Sequence, residues 1–257
     1  HRVDVADLPE EAWPLRLEAV DHDTSVTAAG ALRSLLSGTS YNVERFHSAA
    51  FESRLAEVVA DWPPDVVLLE SLYMVPFLPA LRRATTAPVV LRSVNVEHEI
   101  WEGLAENARG PLLRAYFRRL AARLRAFEVG SMNDVDAILA VTEEDAATYR
   151  RLGATVPLHV APVGMKAGDW PDLSGRGEPA TVVFLGSLDW RPNLEAVRWF
   201  VGEVWPLVRA SVPAARFLVA GSNAPARLIA SGQRDGIGSL GYVDDVRQFL
   251  ASGTAMV

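Results

Sequence analysis

The stretch FLGSLDWRPN, residues 184–193, holds the densest set of groups able to grip an anion. Gly186 ends an apolar strand-like run and lets backbone approach a ligand closely. Ser187 offers a hydroxyl, and Arg191 a charged fork suited to phosphate. Pro192 and Asn193 open a helical pattern, with Asn193 in place to act as its N-cap. A helix N-terminus with free N–H groups and the positive end of its dipole is a ready anion site. The bland alternative is an ordinary strand–loop–helix turn.

Two further strand ends repeat the theme. LVAGSN (218–223) places Gly221 and Ser222 like the first pair, and SLGYVDDV (239–246) places Gly241, Tyr242 and Val243 before a helix-capping Asp. Open α/β sheets bind ligands at the C-terminal ends of their strands, so three such ends along one edge suggest a cleft. The neighbouring GIGSLG (236–241) matches the G-x-G-x-x-G dinucleotide pattern. That fingerprint needs a strand before it and a helix after it. Here a polar turn precedes and strand-like residues follow, so Gly236 and Gly238 read as turn residues and only Gly241 keeps a ligand role.

The elements that must position these residues alternate. Apolar runs at 65–70, 88–93, 136–142 and 158–164 read as strands of a parallel sheet, with helical patterns at 51–62, 111–133 and 143–153 between them. The rhythm restarts with strands at 181–186, 215–221 and 238–243 and helices at 193–208, 224–230 and 244–253. The fold class expected is α/β, with two Rossmann-like domains, 1–166 and 180–257, joined by a Gly-, Pro- and Asp-rich linker over 167–179. HRVDVADLPEE at the start and ASGTAMV at the end read as cut elements, so both domains are expected to be incomplete. Trp199, Phe200 and Trp205 read as core.

Composition narrows the function. A chain of 257 residues with 49% apolar and 22% charged residues has the balance of a soluble globular protein. Its net charge of −7 argues against nucleic acid as a partner, because backbone binding rests on excess Lys and Arg. Without cysteine there is neither disulfide nor thiolate chemistry, which suits a reducing, cytoplasmic setting. His1, His22, His47, His98 and His159 have no spacing that suggests a metal site. His98, in NVEHEIW after the 88–93 strand, reads either as a surface residue paired with Glu97 and Glu99 or as a cleft residue at a strand end. Helix 111–127 carries an apolar stripe (Leu112, Leu113, Tyr116, Phe117, Leu120, Leu124, Phe127) and a remainder rich in Arg. It reads as a core-packed helix with a solvated basic face, or as one lying on a membrane.

Taken in order, these motifs resemble the GT-B glycosyltransferases of family 4, over nearly the whole chain. GSLDWRPN with the helix ending in WP, then LVAGS and GYVDD, resemble that family's C-terminal domain. RSVNVEHEIW, the long basic helix leading to DAILAVTEED, and HVAPVGMKAGDW resemble its N-terminal domain and hinge, with Val163 where Asn is usual. The resemblance implies retaining transfer of a sugar from a nucleotide diphosphate donor to a glycan or lipid-linked acceptor, without cofactor or metal. It implies a donor held mainly by the second domain: Gly186, Ser187, Arg191 and Asn193 at the diphosphate, and Gly221, Ser222, Gly241, Tyr242 and Val243 around the nucleotide. It gives His98 a catalytic role at the sugar or acceptor, and it allows a peripheral membrane contact through helix 111–127.

Two departures stand out. The loop supplies only Arg191 where relatives carry an Arg and a Lys. The family's paired-Glu motif and its glycine-rich first loop are expected beyond Val257 and before His1. The other readings open at this point are a GT-B nucleotide-sugar epimerase or phosphorylase, and a two-lobed small-molecule binding protein.

Overall fold

The computed structural model describes residues 17–25, 27, 30, 40–108, 110–164, 172, 175–224 and 235–257. The chain divides into two compact units, 1–164 and 165–257. The cut element expected at the N-terminus, most of the expected 167–179 linker and nearly all of the expected helix 224–230 lie outside the described residues.

In the first unit, β1 (Val67–Glu70), β2 (Val89–Ser93), β3 (Ala137–Ala140) and β4 (Leu158–Val160) form a parallel sheet in the order β1-β2-β3-β4. Sequential strands lying side by side follow from helical crossovers, which parallel pairing requires. Val89, Leu91, Ile138 and Ala140 are fully buried, as continuous apolar runs in a covered parallel sheet should be.

Among the described residues of this unit lie the helices α1 (Tyr41–Glu44), α2 (Ala49–Asp61), α3 (Leu78–Ala84), α4 (Glu97–Glu106), α5 (Pro111–Ser131) and α6 (Glu143–Leu152). A 3₁₀ turn over Leu72–Phe77 leads into α3. Local chemistry sets their ends. Ser48 caps α2 by accepting from the Phe51 N–H at 3.2 Å, and Thr142 caps α6 by accepting from that of Asp145 at 3.0 Å. Gly153 closes α6 in the left-handed conformation.

On α5 the apolar stripe is mostly spent inside. Phe117, Leu120, Ala121 and Leu124 are buried, and Phe117 packs on Trp101 of α4 with ring centroids 6.0 Å apart. Burying a side chain such as Leu124 contributes about 1.5–3 kcal/mol. Only the first turn departs, with Leu112 at 87% exposure and Leu113 at 39%.

In the second unit, β5 (Thr181–Leu185), β6 (Arg216–Ala220), β7 (Ile237–Gly241) and β8 (Ala255–Met256) are parallel in the order β7-β6-β5-β8. The chain steps outward from β5 to β7 and then returns to β8 on the other side of β5. This reversal makes the C-terminal ends of β5 and β8 the topological switch point.

The helix expected over 193–208 starts earlier and is interrupted. α7 (Arg191–Trp199) runs into a π-helical turn, Phe200–Val204, and then α8 (Trp205–Ser211). Pro206 has no N–H and its ring crowds the carbonyl four residues back, which explains the wider turn. Trp205 and Phe217 are buried and Phe200 packs on both rings. Trp199 differs from the core residue expected: it is 61% exposed. Helix α9 (Val246–Ala251) is capped by Asp245, which accepts from the Gln248 N–H at 3.0 Å.

One carboxylate ties the start of β2 to the start of β3. Asp136 Oδ2 accepts from the Val89 N–H at 2.6 Å and pairs with Arg82 at 2.8 Å. The Arg82 hydrogen bond, then that from Val89, holds this carboxyl below its usual range. A depressed carboxylate adds stability above the unfolded group's ordinary value near ~4 and loses it as pH falls through the folded one. The thermal midpoint of the wild type should therefore fall more steeply below pH ~4 than that of Asp136→Asn, measured by circular dichroism in parallel melts.

Candidate functional site

At the C-terminal edge of the second sheet, three loops are tied together. The Gly186 N–H donates to Ala220 O at 3.0 Å, that of Leu188 to Ser222 O at 3.0 Å, and that of Gly221 to Gly241 O at 2.7 Å. Side chains reinforce the backbone. Ser187 Oγ donates to Asp189 Oδ1 at 2.6 Å and lies 2.6 Å from Ser222 Oγ. The single Ser187 proton is committed to the carboxylate, so Ser222 is the donor in that second contact. Asn223 Nδ2 donates to Asp189 Oδ2 at 3.0 Å. These bonds, Ser187 first, hold the Asp189 carboxyl below its usual range.

Two glycines make this approach feasible. Gly221 has φ +148, and a Cβ there would lie 1.8 Å from Gly186 O. A Cβ on Gly186 would lie 2.8 Å from Asn193 Nδ2. At residue 221 the strand ends meet through bare backbone, which no other residue type permits, while at Gly186 a Cβ would crowd the side chains of Asn193 and Phe184.

The structure thus brings Gly186, Ser187, Gly221, Ser222 and Gly241 together. Tyr242 lies just beyond and is 75% exposed. Val243 differs in kind, since its side chain packs against the buried cluster of Val183, Ala220 and Phe249. Asn193 is not the cap of α7. The N-cap is Trp190, which makes no side-chain capping bond, and Asn193 Nδ2 instead donates back to Ser187 O at 3.0 Å. Arg191 is exposed in the first turn of α7 and has an interaction of its own. GIGSLG is no phosphate loop: Gly236 makes a turn at φ +75, and Ile237–Gly241 is strand β7 itself.

The first unit holds a second cluster, at the C-terminal end of β2. His98 is not a surface residue. It is 3% exposed, in the first turn of α4, and its Nδ1 lies 2.6 Å from Glu128 Oε2. Glu128, on α5, is fully buried. Its Oε2 also accepts from the His98 N–H at 3.2 Å, and its Oε1 from the Glu97 N–H at 3.2 Å and Tyr149 OH at 2.6 Å. The N-cap residue of α4 is Val96, which has no group to cap with, so a carboxylate from another helix does it.

The surroundings extend this network. Ser93 Oγ lies 2.7 Å from both Tyr149 OH and Asn95 O, and Tyr73 OH donates to Glu97 Oε2 at 2.8 Å. Burial first, then the Glu128 charge, pushes the Tyr149 phenol up, so it remains a donor. Burial likewise pushes the Glu97 carboxyl up. Glu128, Tyr149, Ser93 and Tyr73 escaped the sequence reading. A signal existed for Glu128: it continues the helical spacing of Phe117, Leu120 and Leu124, and an acid on an apolar stripe needs a buried partner.

Among the described residues no group of three or more His, Asp or Glu side chains could hold a metal ion, and no helix is long and apolar enough to cross a membrane.

Comparison with known proteins gives the same fold. Residues 1–164 match the model of the glycosyl transferase 4-like domain, and residues 179–257 that of the glycosyl transferases group 1. No curated protein matches the chain. Among solved structures it is similar to sucrose-phosphate synthase from Thermosynechococcus elongatus, with TM-score 0.57 and 14% identity over 82% of this chain and 51% of that one. It is similar to the E. coli trehalose-6-phosphate structure bound with UDP-2-fluoro glucose, with TM-score 0.54 and 14% identity over 84% and 57%. It is also similar to a point mutant of S. aureus TarM in complex with fondaparinux, alpha-GlcNAc-glycerol and UDP, with TM-score 0.54 and 12% identity over 80% and 39%. The chain therefore spans between 39% and 57% of the length of these three proteins. At such identities the likeness is one of fold.

The contact between strand ends makes a sharp demand. Gly221→Ala should lower stability by about 2–4 kcal/mol, because the new methyl meets backbone that cannot yield. Chemical denaturation measures this, and an unchanged midpoint would contradict the close approach of Gly186 and Gly221.

Proposed function

The chain belongs to the glycosyl transferase 4-like family, and on that premise we propose that it moves a sugar from a nucleotide diphosphate donor to a glycan or lipid-linked acceptor with retention. The single observation that carries this reading is the β5–α7 turn. It lies at the switch point of a parallel sheet, with Gly186 and Gly221 in backbone contact and a helix whose N-cap residue, Trp190, makes no side-chain capping bond. Such a place suits a diphosphate, whose charge grows when the sugar–oxygen bond breaks.

In this reading the diphosphate rests on Gly186, Ser187 and the first turn of α7, and Arg191 adds positive charge. Asn193 acts indirectly by holding Ser187 O. Gly221, Ser222 and Gly241 shape the nucleotide side, where Tyr242 and Val243 offer backbone groups to the base. His98 serves at the sugar or acceptor through Nε2, because Nδ1 is engaged by Glu128. In the transfer, the anomeric carbon exchanges its bond to the diphosphate oxygen for one to the acceptor oxygen on the same face, and the acceptor hydroxyl gives up its proton. The chemistry needs no cofactor. UDP-2-fluoro glucose in one similar structure and UDP in another support a nucleoside diphosphate donor.

The acceptor side includes a choice of setting. A cytoplasmic enzyme acting on lipid-linked acceptors would meet an anionic membrane, and the exposed Leu112 and Leu113 beside Arg114 and Arg118 offer a small contact.

Isothermal titration of the full-length protein with UDP and with GDP tests the donor site. One of them should bind, and Arg191→Ala should weaken it about tenfold, the effect of one lost charge-assisted contact. Binding of neither nucleotide would overturn the reading. Sedimentation with phosphatidylglycerol vesicles tests the membrane contact: wild type should pellet at low salt and Leu112→Asp/Leu113→Asp should not.

A further inference from the structure

We infer that Glu128 is a positioning residue for His98: it fixes which ring nitrogen carries the proton and so presents Nε2, with its lone pair, to the ligand. The inference rests on the role proposed above for His98, but its grounds are geometric. Three donors converge on one carboxyl group, the N–H of Glu97, the N–H of His98 and Tyr149 OH, and the His98 ring meets it through Nδ1 at 2.6 Å. A carboxylate has lone pairs for all four and no proton to return. Nδ1 is therefore the protonated nitrogen, and in the neutral ring Nε2 then carries the lone pair.

Nε2 stands differently. It has no hydrogen-bond partner among the described residues. A side chain only 4% exposed thus keeps one ring nitrogen without a partner among the described residues, at the C-terminal end of β2, where ligands of α/β sheets bind. The ring is also held against rotation. The carboxylate that receives Nδ1–H is itself fixed by two backbone N–H groups of the helix bearing His98 and by Tyr149. A flipped ring would set a carbon, Cδ2, where that bond is made and would forfeit it. Glu128 acts as the orienting member of a histidine–carboxylate pair, and Tyr149, backed by Ser93, orients Glu128 in turn.

A purely structural Glu128 would only cap α4, and the two roles separate experimentally. Ring nitrogen chemical shifts of His98 in the full-length protein should show the proton on Nδ1. A proton on Nε2 with a bare Nδ1 would overturn the proposal. Nucleoside diphosphate release from UDP-glucose or GDP-mannose, following the nucleotide selected by titration, then gives turnover. Glu128→Gln keeps the volume but puts an amide N–H among the donors. It should lower kcat at least about tenfold with KM for the donor little changed, and His98→Ala should do the same. Because both act through one ring, the double variant should be no slower than His98→Ala alone. Losses that multiply, or a normal kcat in Glu128→Gln beside an impaired His98→Ala, would overturn the positioning role and leave His98 in place. A normal kcat in His98→Ala would instead remove His98 from the site, and this inference with it. If Glu128→Gln fails to fold, Glu128→Asp, which keeps the charge but withdraws it by one methylene, is read in the same way.

Discussion

The first unit depends on one buried charge. Helix α4 follows β2 with Val96 at its start, and Val96 cannot satisfy the N–H groups of the first turn. Glu128 satisfies two of them from α5, with the His98 ring and Tyr149 completing its shell. Each N–H left without a partner in so buried a place would cost about 1–3 kcal/mol, so the carboxylate fixes where α4 begins and how α5 lies on it. The apolar contacts of Trp101 with Phe117, and of Leu104 and Ala105 with Leu120, then follow the register that this polar contact sets. The burial of Glu128 is tolerated because all of its lone pairs are used.

The second unit solves a similar positioning problem without a buried charge. Its loops are drawn together by backbone N–H to carbonyl bonds and by Gly221 against Gly186, where a methyl group would not fit. The one carboxylate in this cluster, Asp189, is exposed and faces Ser187 and Asn223. Its bonds shape the turn while its charge stays hydrated. The result is a rigid edge of small residues, suited to close contact with a bulky anion. In both units the candidate residues stand at the C-terminal ends of parallel strands, the place a doubly wound topology leaves open.

Much of the fold was legible because its signals are local. Runs such as VVLRS and TVVFLG are apolar on both faces, and every expected strand that falls on described residues corresponds to a strand within a few residues. Where the reading missed, a neighbour in space overrode a local rule. Asn193 has a capping residue's chemistry, but the helix starts two residues before it and its amide reaches Ser187 O instead. Trp199 falls on the outer face of α7, while Phe200 and Trp205, on either side of the wider turn, reach Phe217. Helix α4 went unread because its capping group lies 30 residues away in the chain.

By itself, then, the sequence determined the α/β class, the strands, most helix positions and the loops that carry glycine and small polar residues. Period, length and turn chemistry act over a few residues and need no partner elsewhere. Tertiary structure alone decided the rest. The return of β8 beside β5 makes a switch point, the meeting of residues 186 and 221 explains why residue 221 is glycine, and the meeting of residues 98 and 128 turns a lone histidine into an oriented one. Each joins residues about 30 or more positions apart, and pairing at that distance is set by which packing satisfies every buried polar group at once.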